Sequence, residues 1–322
     1  LQVAWEAFNE NYAFFEARGV KWRDQYDKAR VRLKTEMSEE ELFRVISDML
    51  ASLGDDGHVS LRGPGKQSFS GARIKPHPIR AHAEQWREMV RRKYLNNTAE
   101  RMANDKIVTG RLPDGTFYLE LFRVAGFSET GTADKEIAAF NEALDRIFKR
   151  LKPGEPLVLD LRFNAGGYDD YSLLIAGRLT SEPSVAFLKQ PRIQGTNEFG
   201  PLHVRHVFPS PGPPVLGRII LLTSGMTYSG AEILTMATMR FANVTRVGEP
   251  TAGALSDVLP FKLPNGWEIG LSNERYFASD GVVYEDRGVP PHLEAPMSKQ
   301  SLDQNIDPGL ETAMRLLQRR TN

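Results

Sequence analysis

Four segments of this chain carry groups suited to attacking a carbonyl. In "LLTSGMTYSGAE" (221–232) an apolar, strand-like run leads through a short polar loop to Ser229 at the start of a helical pattern. Free N–H groups in the first turn of a helix, and the helix dipole, favour developing negative charge. That suits a serine alkoxide and the oxyanion it generates. Ser is equally a favoured N-cap, so this stretch by itself leaves both roles open, and Ser224, Thr227 and Tyr228 offer neighbouring hydroxyls. The G-x-S-x-G spacing of α/β-hydrolases is absent, because Thr227 stands where its first Gly would be.

The second segment, "LDLRFNAGGYDD" (159–170), ends a buried-strand pattern in Asn-Ala-Gly-Gly. Backbone without Cβ allows close approach by a ligand, and such a position at the carboxyl end of a sheet strand is where open α/β sheets bind ligands. Its N–H groups would suit an oxyanion hole, and an ordinary left-handed turn explains the glycines as well. The third is His58 in "LGDDGHVSL", a candidate general base in a loop. The fourth is Glu285 in "SDGVVYEDRGVPPHLE", a solvated charge unless the fold brings it to His58.

Composition removes several other chemistries. There is no Cys, so thiolate metal sites, disulfides and Cys nucleophiles are excluded. The six histidines show neither H-E-x-x-H nor H-x-H spacing, and no EF-hand loop follows Asp55 and Asp56, so no metal or other cofactor is expected. Lys plus Arg and Asp plus Glu are equal at 41 each, which gives no global field for nucleic acid. No run of 18 apolar residues occurs. The chain opens on "LQVAWEAFNENYAFF", which reads as mid-helix, leaving room for a signal or anchor segment upstream.

The elements that must position these groups follow from periodicity. "SEEELFRVISDMLASLG" starts with a capping box, Ser38 and Glu41, and keeps Leu42, Val45, Ile46, Met49, Leu50 and Leu53 at helical spacing. Residues 64–109 are polar and basic, with a helical pattern near 82–103. From 116 onward, "TFYLELF", "PLVLDLRF" and "RIILLTS" read as strands alternating with helices at "DKEIAAFNEALDRIFKRLK", "YSLLIAGRL" and "AEILTMATMRF". That alternation predicts a mainly parallel α/β sheet. Shorter strands and a "PNGW" turn follow residue 245, and "DPGLETAMRLLQRR" closes the chain as a helix. The expected division is 1–63 helical and ending in the His loop, 64–109 a small cap or insertion, and 110–322 the α/β core.

Taken in order, the four segments resemble the C-terminal processing (tail-specific) serine peptidases. "LGDDGHVSL" is similar to that family's L-x-D-x-H-T loop, "LVLDLRFNAGG" to its D-L-R-x-N-x-G-G strand, and "LLTSGMTYSGAE" to its nucleophile segment. "VGEPTAGA" resembles the strand that follows. The resemblance implies a crotonase-like, ClpP-like core with an N-terminal helical subdomain and a small cap. It implies Ser229, three residues before Glu232, as the nucleophile, and backbone N–H of Gly167 and Gly230 as the oxyanion hole. It also makes Arg162 and Asp160 supports of strand and loop.

One branch of that family uses a Lys 25 residues beyond the Ser; here that position is Ala254, and Lys262 lies in a different strand. The other branch resembles the tricorn core, with His58 as base and Glu285 as its orienting acid. Tricorn's Ser before the His is replaced by Gly57, which reduces the implied relay to a Ser229–His58–Glu285 triad. The roughly 45 residues after the His loop are too few for the PDZ domain many members carry. The function implied is a serine peptidase acting on peptides or unfolded chain segments, expected to be exported to the periplasm or cell surface, with the cytoplasm as the alternative. The alternatives are a non-catalytic binding protein on the same fold, like the retinoid-binding relatives, and a crotonase-like acyl-CoA enzyme, for which no basic phosphate site is evident.

Overall fold

The computed structural model describes residues 1–73, 77–128, 132–211 and 217–318. The chain forms two compact units, each assembled from separated stretches: 1–76, 189–203 and 256–276 in the first, and 77–188, 204–255 and 277–322 in the second. The linear division at 63 and 109 is drawn along the chain, whereas these units are drawn through space.

The first unit packs helices Gln2–Asn11, Trp22–Arg30 and Glu39–Ala51 with a four-stranded antiparallel sheet. The capping box forms as its spacing predicts: Ser38 N–H donates to Glu41 at 2.9 Å, and Glu41 N–H to Ser38 Oγ at 3.2 Å. Val45, Ile46, Met49 and Leu50 of that helix are buried with Phe8, Tyr12, Trp22 and Trp267. Strand Ser60–Arg62, which follows His58, pairs with Ser68–Ser70 on one side and Glu268–Ser272 on the other. The "PNGW" turn joins Glu268–Ser272 to Val258–Lys262 as an antiparallel hairpin.

The second unit holds a seven-stranded sheet. Leu293–Glu294, Val244–Gly248, Ile219–Thr223, Leu157–Asp160 and Phe117–Leu121 run parallel in that spatial order, and Ile107–Arg111 and Glu100–Met102 continue it antiparallel. The predicted parallel α/β core is therefore present, with the three apolar runs at 116, 156 and 218 as neighbouring central strands. The helical pattern near 82–103 stops early. Helix Ala83–Met89 runs through one wider turn, Val90–Tyr94, and then Asn96 and Asn97 at φ 48° and 56° break it, so that residues 100–102 form a strand instead. Asn tolerates the left-handed conformation better than most residues.

Beneath the sheet's carboxyl ends lies a buried polar network. Arg162 binds Asp160 at 2.6 Å and Asp307 at 2.7 Å; Tyr118 donates to Asp160, and Trp86 to Asp307, both at 2.9 Å. Such a pair is costly to break, about 3–5 kcal/mol for loss of one partner, so Asp160 and Arg162 hold strand to helix. Glu120 stands beside Asp160 in the register of adjacent strands, and its Oε1 has no hydrogen-bond partner among the described residues. Burial, and then the neighbouring Asp160 charge, push its carboxyl up to about 8.

Because this lies above the unfolded value of about 4.3, folding takes up a proton at intermediate pH. The associated stability is fully present below the unfolded value and is lost as pH rises through about 8. Glu120→Gln is expected to gain stability over wild type progressively across that window. Urea unfolding at several pH values measures the difference, and a pH-independent difference would contradict it.

Candidate active site

Strands Leu157–Asp160 and Ile219–Thr223 are parallel neighbours in register, so the loops leaving their carboxyl ends emerge side by side. Three bonds lock those loops together: Ser224 Oγ to the Arg162 carbonyl at 2.6 Å, Thr227 Oγ1 to that of Leu161 at 2.9 Å, and Tyr228 N–H to that of Asn164 at 2.9 Å. Ser224 and Thr227 are thus structural hydroxyls, wholly buried and engaged with backbone.

Ser229 differs from both. It is half-buried, precedes helix Gly230–Ala237, and has φ 50° and ψ −120°, a conformation that non-glycine residues rarely adopt. Such strain costs on the order of 1–3 kcal/mol and persists only where the surroundings impose it. The Gly166–Gly167 loop presses against it. A Cβ placed on Gly166 would lie 2.7 Å from Ser229 Cβ and 2.6 Å from the Tyr228 carbonyl oxygen, and one on Gly230 would lie 2.9 Å from Gly167 N. Neither the Gly167 nor the Gly230 amide donates a hydrogen bond among the described residues. The two amides are thus brought close to one another, next to Ser229.

Gly166 has φ +83° in addition to this contact. Gly166→Ala is therefore expected to displace the 228–230 segment and lower turnover by about 10²-fold, the effect of a misplacement near 1 Å. Steady-state kinetics on folded protein checks this; unchanged turnover would show that the contact yields without moving Ser229.

Glu285 lies in the same unit as Ser229 and is largely buried; its Oε2 accepts the Leu255 N–H at 2.8 Å. His58 lies in the first unit. Its backbone N–H donates to Asp56 Oδ1 at 3.0 Å, and Asp56 also accepts from Tyr12 Oη at 2.7 Å and Ser272 Oγ at 3.0 Å. Those donors make Asp56 the staple of the His loop, a role invisible in sequence because Tyr12 and Ser272 are remote along the chain. Burial pushes the His58 imidazole down, with Asp56 and Asp257 opposing. Neutral imidazole is the form able to accept a proton.

Among the described residues no cluster of His, Asp or Glu is arranged to hold a metal, and no helix is long and apolar enough to cross a membrane.

The peptidase family S41 model matches residues 121–295, and the tricorn protease C1 domain model matches residues 1–51. Among solved structures, the chain is similar to a protein assigned as a peptidase from Parabacteroides merdae, at 24% identity over 99% of this chain and 95% of that one, with a TM-score of 0.81. A lipoprotein from Streptococcus agalactiae matches at 17% identity over 98% and 94%, with a TM-score of 0.63. Mature CPAF complexed with lactacystin matches at 13% over 98% and 96%, with a TM-score of 0.66. At such identities these likenesses speak to the fold. The S41 match takes in over half of the chain, from the end of strand Phe117–Leu121 through the Gly166–Gly167 loop and Ser229 to beyond Glu285, and the protein belongs to peptidase family S41.

Proposed function

We propose that this serine peptidase is an endopeptidase acting on unfolded chain segments through a Ser229–His58–Glu285 triad. The observation that carries the reading is Ser229 itself, a strained residue at a helix N-terminus beside two open amides. His58 takes the hydroxyl proton as the Ser229 oxygen attacks the scissile carbonyl, and Glu285 stabilises the imidazolium so formed. The tetrahedral oxyanion sits between the Gly167 and Gly230 N–H groups. Collapse breaks the peptide C–N bond, and His58 passes its proton to the departing amine. Water, deprotonated by His58, then hydrolyses the acyl-Ser229 ester and restores the enzyme. The lowered imidazole value supports a base that is already neutral at neutral pH. Ala254, where the lysine branch needs an amine, supports His58 over a Ser/Lys pair.

The test is cleavage of an unstructured polypeptide, with the products identified by mass spectrometry. Internal cuts are expected; release of single terminal residues alone, or no cleavage, contradicts the reading.

A further inference from the structure

One carboxylate close to Ser229 has no part in the mechanism above. Glu232 is wholly buried in the helix that Ser229 precedes, and its two oxygens accept four hydrogen bonds. Oε2 takes the Ser229 N–H at 3.1 Å and the Ala254 N–H at 2.9 Å. Oε1 takes the Gly253 N–H at 2.7 Å and the Thr251 hydroxyl at 2.6 Å. Thr251 Oγ1 in turn accepts the Val289 N–H at 2.7 Å, so its proton is directed at Glu232. Burial pushes the Glu232 carboxyl up to about 7, and the four hydrogen bonds, every one of them from a donor, oppose that by favouring the carboxylate.

A helix needs nothing so elaborate, since an N-cap interaction calls for one side-chain acceptor at an exposed end. Here the acceptor lies inside the protein and joins two separate segments. One end of the network is the backbone of a residue held at φ 50°. The other is the 251–255 loop, whose next amide, Leu255 N–H, holds Glu285 Oε2, and whose Gly253 carbonyl accepts the Asp286 N–H at 2.7 Å. We infer that Glu232 is a positioning residue of the reaction, which imposes the strained backbone of Ser229 and sets it in register with the loop that anchors Glu285. This rests on Ser229 being the nucleophile, and the experiment keeps the two failures apart.

Glu232→Gln is nearly isosteric, but either amide orientation turns an NH2 group toward two donors. The rate of Ser229 modification by a fluorophosphonate is measured for wild type and variant as a function of probe concentration, alongside circular dichroism and Tm. The variant is expected to keep its fold and its concentration for half-saturation while the limiting modification rate falls about 10²-fold. Thr251→Val, which removes one donor and leaves the Ser229 bond, is expected to lose about tenfold.

Unmodified wild-type Ser229 would refute the nucleophile assignment itself, whatever Glu232 does. Modified wild type with an equal rate in folded Glu232→Gln would overturn the positioning role, as would a lowered Tm with no change in limiting rate. Should Glu232→Gln not fold, Thr251→Val decides, and an unchanged rate there overturns the inference.

Discussion

Ser229→Ala is expected to lower peptide cleavage by about 10⁴-fold or more while leaving the fold and substrate affinity nearly intact. The size follows from the chemistry removed. Without the hydroxyl no acyl-enzyme forms, and only binding and the two open amides remain to assist attack by water. The affinity should persist because the Ser229 side chain contributes little apolar contact. Alanine also tolerates the φ of 50° poorly, so some relaxation toward ordinary helix geometry and a small change in Tm are expected. Comparison of kcat and KM for the variant checks the split. A variant that cleaves at the wild-type rate would remove Ser229 from the mechanism.

The second large effect concerns His58. Its imidazole lies below the ordinary value of about 6.5 because burial disfavours the charged form. Activity needs the neutral base, so kcat/KM should fall only as pH drops through that lowered value. The acid limb of the profile is therefore expected below about pH 6.5. His58→Ala should remove the limb along with about 10⁴-fold of the rate. Glu285→Gln should cost about 10²–10⁴-fold, because the imidazolium loses its stabilising charge and its tautomer is no longer imposed. A profile whose acid limb survives His58→Ala would assign the base elsewhere. The carboxylates that face His58 within its own unit, Asp56 and Asp257, would then be examined first.

Much of this arrangement is legible in the chain. The central strands announce themselves as apolar runs, because a parallel sheet covered on both faces has no polar side. The capping box at Ser38 and Glu41 needs only local geometry, so spacing suffices to find it. The Ser229 and Gly166–Gly167 segments gain meaning from the pairing of their strands, which sequence order and patterning imply.

What stays hidden depends on distant partners. Glu232 reads as the third residue of a helix, and its four donors come from residues 229 and 251–254. Asp56 reads as half of an acidic pair in a loop, and its donors come from residues 12, 58 and 272. The helix pattern misleads at 96–103 because its mostly polar residues suit an exposed helix and an edge hairpin alike. Five left-handed residues between 96 and 105, Asn96, Asn97, Ala103, Asn104 and Asp105, settle the matter for the hairpin. Glu120 shows no local sign of its burial, since alternation in "FYLEL" would place a charge at that position on a solvated face.

The central claim is that Ser229 attacks and His58 is its base. The most direct measurement is a crystal structure of the fluorophosphonate adduct. The account predicts phosphorus bonded to Ser229 Oγ, one phosphonyl oxygen about 2.7–3.1 Å from the Gly167 and Gly230 nitrogens, and the His58 ring within hydrogen-bond reach of Ser229 Oγ and of Glu285. Modification at another residue, or an adduct with His58 remote from Ser229, would contradict it.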